Sequence, residues 1–288
     1  MTTRFLVLAV AVALAVVEAA SANDNVRAVQ MKLREGGFYS GEIDGAYSSQ
    51  LSAALTRYQI RNGLPITGQL DVDTSKALGV KPAVTTSTAN KANDAAQASE
   101  TWRRLRKSDQ QFLARIEKQT AAPSPREQSV VASASATAPV TAVPTNALAP
   151  PVEGQTRSAT TSGSAPNMER LRDYVGAFVL AGLDPRIGAE TEFFADRVRY
   201  YDQGVLDREN IRQDLKRYAE RWPDRRFWFD GDITVEPQNG NRVRVTFPLR
   251  YELRNGDKQS SGKVDKTIVL EPAGDDLEIV AVSERKAE

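Results

Sequence analysis

The sequence predicts a multidomain chain: a small all-α three-helix module, then a larger α+β module, joined by a disordered linker. Three observations carry this. Residues 24–80 hold three short stretches with apolar residues at helical spacing. Residues 166–288 begin with helical periodicity and end in long period-two alternation, the order of an α+β fold. Between them, residues 81–165 hold seven of the chain's 14 prolines: Pro82, Pro123, Pro125, Pro139, Pro144, Pro150 and Pro151. The whole chain has 288 residues and 41% apolar content, enough for two cores.

The absences exclude chemistry. With no histidine and no cysteine, His-assisted hydrolases, zinc sites built on His or Cys, iron–sulfur clusters and disulfides drop out. No metal and no cofactor is implied. A net charge of +1 speaks against bulk electrostatic binding to nucleic acid.

Residues 1–22 read as a signal peptide. Arg4 precedes an apolar run from Phe5 to Val17. At 1.5 Å per residue that run makes about 20 Å of helix, too short for a hydrocarbon core. Ala20-Ser21-Ala22 supplies an A-x-A cleavage pattern, so export to the periplasm or cell wall is expected, with no membrane span after cleavage.

In the first module, Val26, Val29 and Leu33 share a helix face that Gly36-Gly37 ends. Leu51, Ala54, Leu55 and Tyr58 define a second helix, and Asp71 or Asp73 caps a third. The segment from Gly37 to Leu78 then resembles the peptidoglycan-binding domain of the PGBD-like fold. The resemblance rests on Ile43-Asp44-Gly45, Tyr58-Gln59, Gly63-Leu64-Pro65, Thr67-Gly68 and Asp71 with Thr74. The sequence departs from that pattern at Ser48 and Leu51, which removes one expected Thr cap, with Ser49 available in its place. The resemblance implies peptidoglycan as partner. Phe38, Tyr39, Tyr47, Arg57, Gln59, Arg61 and Asn62 form the expected contact surface, since aromatic faces stack on sugar rings and Arg and Asn bond muropeptide carboxylates and amides.

The linker carries one island, a helix expected over 100–118 with Trp102, Leu105, Phe112, Leu113 and Ile116 among basic residues. Three readings stay open there: a partner-binding or self-associating helix, a helix lying on a neighbouring domain, and a basic membrane-surface helix. As a random coil the 81–165 linker would reach about 50 Å, so the modules are expected to sit apart.

The second module opens with a helix near Pro166 carrying Leu171, Tyr174, Val175 and Phe178. A second helical segment is expected over Pro185–Ala195, and a third capped by Asp207 and stopped by Pro223. Phe227, Phe229, Ile233 and Val235 alternate along one strand, and Val243 through Leu253 along the next. Asn239-Gly240 and Asn255-Gly256 mark turns. Pro248 demands an edge or a bulge. Further strands fit Lys263–Leu270 and Leu277–Ser283. This order, with "FFADRVRYYDQG" and "RWPDRRFWF", resembles the NTF2-like superfamily, a curved antiparallel sheet wrapping a helix into a cone. The resemblance implies a pocket, with Tyr200, Tyr201, Asp202, Trp222 and Trp228 as candidate lining. It leaves a small-molecule or protein partner, or a homodimer through the sheet. Catalysis of the ketosteroid-isomerase type, by Asp with Tyr, is the enzymatic alternative. No catalytic residue is assigned. The leading expectation is a non-enzymatic wall-binding protein; an adaptor subunit of an envelope complex, held through the Trp102 helix, is a further alternative.

Overall fold

A computed structural model describes residues 24–81, 91–107, 165–274 and 276–287. Residues 1–22, expected to be a signal peptide, and Phe112, Leu113 and Ile116 of the expected linker helix lie outside the described residues.

The N-terminal module is all-α, as expected: α1 (24–35), α2 (Ser49–Arg61) and α3 (Val72–Leu78). Val29, Leu33, Leu51, Ala54, Leu55, Leu70 and Leu78 form its core. Helix α1 ends at Gly37, whose φ of 79° suits glycine, and the Phe38 and Tyr39 amides return to the Leu33 carbonyl. Ser48, not Ser49, caps α2 by accepting from the Leu51 amide at 3.3 Å. Asp71 caps α3 through the Thr74 amide at 2.8 Å.

The C-terminal module is α+β. Helix α5 (Ala165–Ala181) is followed by a 3-10 turn (Ala189–Phe193), β1 (Phe194–Tyr200), β2 (Val205–Asp207), and helix α6 (Arg208–Arg221). Then come β3 (Asp224–Phe229), β4 (Thr234–Pro237), β5 (Val243–Asn255), β6 (Lys258–Ala273) and β7 (Asp276–Lys286). The sheet order is β2-β1-β7-β6-β5-β3, with β4 also on β5. All pairs are antiparallel except β1 with β7, which is parallel. The core joins Tyr174, Val175 and Phe178 of α5 to Phe194, Val245, Phe247, Ile268 and Ile279 of the sheet.

Two expectations are corrected within this module. The helix drawn over Pro185–Ala195 is only the short 3-10 turn, because Phe194 is taken into β1 opposite Ile279. The single strand drawn through Phe227 and Val235 is two strands, β3 and β4, both on β5. Pro248 lies where one gives way to the other: β3 ends opposite Leu249 and β4 begins opposite Thr246. The missing N–H of proline therefore costs no ladder bond.

In the linker, the open reading of a helix lying on a neighbouring domain is the one the structure shows, with other bounds than expected. Residues 91–106 form helix α4, starting nine residues before the expected helix, because Ala-rich sequence favours helix without needing an apolar stripe. Trp102 and Leu105 are fully buried in the C-terminal core, and Trp102 packs on Phe193 with ring centroids 5.5 Å apart. The Trp102 indole and the Ser99 hydroxyl both donate to Asp184, at 2.8 and 2.7 Å. Burial raises the pKa of Asp184, but these donors and the Arg186 amide outweigh it and hold the carboxyl below its ordinary value. The opposite side of α4 meets the first module: Gln97 donates to the Tyr47 carbonyl at 3.0 Å, and Ser49 to Glu100 at 2.9 Å.

The modules are thus in contact rather than held apart. Arg57 of α2 donates to both oxygens of Asp173 on α5, at 2.7 to 3.1 Å, with both side chains buried. Ala53 and Ile66 belong to the C-terminal core cluster. The Ile66 amide donates to the Phe227 carbonyl on the outer edge of β3 at 2.9 Å, partly covering an edge that would otherwise be open to pairing.

Candidate functional site

The residues proposed for wall contact separate into two sets. Gln59 is fully buried and saturated. Its carboxamide oxygen accepts from the Thr67 and Gly68 amides, and its NH2 donates to Thr67 Oγ1, the Gln69 carbonyl and Thr74 Oγ1, all at 2.9 to 3.0 Å. Tyr39 is buried, its hydroxyl donating to the Glu42 carbonyl at 2.8 Å. Burial, with the Asp44 carboxylate, pushes its pKa above the usual tyrosine value. Arg57 is committed to Asp173. Gln59 and Tyr39 are withdrawn from the contact surface, because a buried, hydrogen-bonded side chain cannot reach a polymer; Arg57, buried against Asp173, stays only in the lining of the hollow beside Phe38.

Tyr47 is partly exposed, but its hydroxyl is tied to the Gly68 carbonyl at 3.0 Å. Phe38, Arg61 and Asn62 remain together at the surface. Phe38 meets Tyr58 edge to face at 5.5 Å, Arg61 pairs with Glu169 of α5, and Asn62 donates to the Tyr58 carbonyl at 2.8 Å. With Gly36, Gly37 and Arg172 they line a hollow of about 360 Å³ against α5.

In the C-terminal module, a cavity of about 820 Å³ opens between α5, α6 and the sheet. Phe178, Val179, Phe194, Leu215, Phe227 and Leu249 make its apolar wall. Of the candidate pocket residues, Tyr200, Tyr201 and Asp202 are placed in its lining. Tyr201 takes a left-handed φ of 49°, which lets consecutive tyrosines serve one cavity although strand alternation would send them to opposite faces. Their rings meet edge to face at 4.7 Å. Gly262 gives Tyr251 its space: a Cβ there would stand 2.9 Å from the Tyr251 hydroxyl.

Trp222 and Trp228 do not line this cavity. Trp222 is the C-cap of α6. Trp228 lies against a separate hollow at the seam with the first module, with Arg250 4.4 Å over its ring.

Apart from Asp202, sequence reasoning missed the cavity's charged residues. Lys266, inward-facing on β6, donates to the Tyr201 hydroxyl at 2.9 Å and pairs with Glu284 at 3.4 Å. Burial would lower its pKa, but Tyr201 and Glu284 outweigh that and hold it above the ordinary lysine value. The Tyr200 hydroxyl donates to Asp214 at 3.3 Å, and burial raises its pKa. Glu190, on the 3-10 turn, is buried beside Gly182, and desolvation pushes it up to about 7. Only Lys266 was legible in principle, as a cation at an apolar position between Val264 and Ile268.

Comparison with known proteins bears on both halves. Residues 22–78 match the family described as "Putative peptidoglycan binding domain". The chain is 41% identical over 61 residues to the Localization factor PodJL of Caulobacter vibrioides, a match spanning 21% of this chain and 6% of the relative's length. The fold is similar to Aln2 from a Streptomyces species (15% identity, 40% of this chain and 87% of that one, TM-score 0.36). It is also similar to ActVI-ORFA from Streptomyces coelicolor (14% identity, 40% and 92%, TM-score 0.35). Likeness at this level adds nothing to the geometry already described.

Proposed function

We propose that this is an exported, non-enzymatic cell-envelope protein that binds peptidoglycan through its N-terminal module and presents a ligand-binding cavity in its C-terminal module. The observation that carries the reading is the match of residues 22–78 to a peptidoglycan-binding family, with that module's helices and the Gln59 hydrogen-bond cluster intact. The signal-like pattern of residues 1–22 supports export to the periplasm or cell wall. The partial likeness to a localization factor supports a positioning role. No helix among the described residues is long and apolar enough to cross a membrane.

The cavity suits a small molecule with an apolar body, held by hydroxyl and ammonium donors at its polar wall. An envelope complex held through Trp102 itself is disfavoured, since Trp102 is buried within its own chain. A second copy of the chain would have the β2 edge or the outer face of the sheet to pair with. The test of wall binding is co-sedimentation of the chain lacking residues 1–22 with purified sacculi. Depletion from the supernatant at low and moderate salt is expected; full recovery in the supernatant would sink the reading.

One observation favours an enzymatic second reading: a buried carboxyl titrating near neutrality beside two tyrosines. Deuterium incorporation next to the carbonyl of a bound ketone, lost in Glu190→Gln, supports it. Ligand binding without exchange supports the binding role instead.

A further inference from the structure

The exposed members of the wall-contact set do not end at the N-terminal module. The hollow beside Phe38 and Tyr58 shares Ile60, Arg61 and Arg172 with a second hollow of about 440 Å³, which reaches Trp228, Asp230 and Arg250 of the C-terminal sheet. The two form one groove across the seam between the modules. We infer that this groove is the peptidoglycan site, and that the C-terminal module supplies half of it through Arg250, held in place by stacking on the nearly buried Trp228. The inference rests on the wall-binding reading and adds a receptor half that the N-terminal family does not contain.

The chemistry fits a glycan that carries peptide carboxylates. An aromatic pair, Phe38 with Tyr58, stands at one end, suited to the C–H faces of sugar rings; at the other end the nearly buried Trp228 is the platform on which Arg250 stacks. Between them, Arg61 and Arg172 converge on Glu169, and Arg172 also pairs with Asp232 at 3.2 Å. Five donors on each guanidinium leave N–H groups for a ligand oxygen. Arg250 is exposed and stacks on Trp228, and among the described residues no carboxylate pairs with it. Stacking leaves the guanidinium edge able to bind a carboxylate with two parallel hydrogen bonds. Of the two acids lining that side, Asp230 is held by Lys263 at 2.5 Å and Asp232 by Arg172 at 3.2 Å. The buried Arg57–Asp173 pair fixes the two halves relative to each other, so the groove is formed before any ligand arrives.

The test is calorimetric titration of a soluble muropeptide, released from sacculi by digestion, into the chain lacking residues 1–22 and three variants. Phe38→Ala removes the N-terminal aromatic. Arg250→Glu reverses the charge in the C-terminal half. Arg244→Glu makes the same change on the same strand outside the groove, where Arg244 faces Glu236 at 3.6 Å. Phe38→Ala and Arg250→Glu should each weaken binding by about tenfold or more, and Arg244→Glu by less than about twofold. Unchanged unfolding midpoints identify the loss as local; if Arg250→Glu lowers its midpoint, Arg250→Gln serves in its place with the same expectation. Wild-type affinity in the Arg250 variant, with loss in Phe38→Ala, overturns the composite site and leaves the wall reading standing. No binding by the unaltered chain overturns both.

Discussion

The two modules spend their polar side chains in opposite ways. In the first, Gln59 and Gln30 are fully buried and turn inward to backbone groups. Gln30 accepts from the Gly45 amide at 2.9 Å and donates to Asp44 at 2.7 Å. A domain of this size has little apolar area to bury, and such clusters fix its turns. The second module has a large core and leaves room inside it, with Glu190, Lys266 and two tyrosines around an open cavity. The difference teaches that buried polar residues are scaffold in one region and candidate chemistry in the other, and that cavity geometry separates the two roles.

The comparison breaks most readily at Gln59. Gln59→Leu keeps the volume but strands several buried donors and acceptors, and should cost about 4–5 kcal/mol in denaturant unfolding. A cost below about 1 kcal/mol would remove the scaffold assignment. Trp102→Ala comes next: it opens a cavity and deprives Asp184 of a donor, with an expected loss of about 3–4 kcal/mol. Arg57→Ala leaves Asp173 buried and unpaired, at about 3 kcal/mol, and the Arg57→Met/Asp173→Leu double variant should recover most of that.

Glu190 sharpens the contrast through pH. Its carboxyl titrates near 7 when folded against an ordinary 4.5, so the folded state holds the proton more tightly. Below 4.5 both states are protonated; as pH rises from 4.5 to 7 the unfolded chain loses its proton first and stability falls. Stability measured across that window should be flatter in Glu190→Gln than in the unaltered chain, and the substituted chain should be the more stable above pH 7. The smallest effect is expected at the exposed Arg103–Glu192 pair, 2.7 Å apart with both side chains nearly half exposed: Arg103→Ala should change stability by less than about 1 kcal/mol.

Much of the fold was legible because its signals are local. Helix faces, the Asp71 and Asp207 caps, the Gly37 stop and the long alternation of β5 depend on neighbours in sequence, and each appears in the structure. What failed depended on distant partners. The Trp102 island stood out within 81–165, but its burial requires Asp184 and Phe193, which only the fold brings beside it. Arg57 has the look of a surface cation until Asp173, 116 residues away, is placed beside it. Glu190 carries no pattern at all, since its desolvation comes from α5 and α6 closing over a short turn. Tyr200 and Tyr201 were found for their residue type, but the left-handed turn that brings both into the cavity was not visible in the sequence.

At the seam, α4, the Arg57–Asp173 pair and the Ile66 contact make one body of two modules. Scanning calorimetry of the chain lacking residues 1–22 tests this directly, alongside Arg57→Ala. A single unfolding transition is predicted, shifted as a whole to lower temperature by the substitution. Two resolved transitions, with the C-terminal one unmoved in Arg57→Ala, would contradict it.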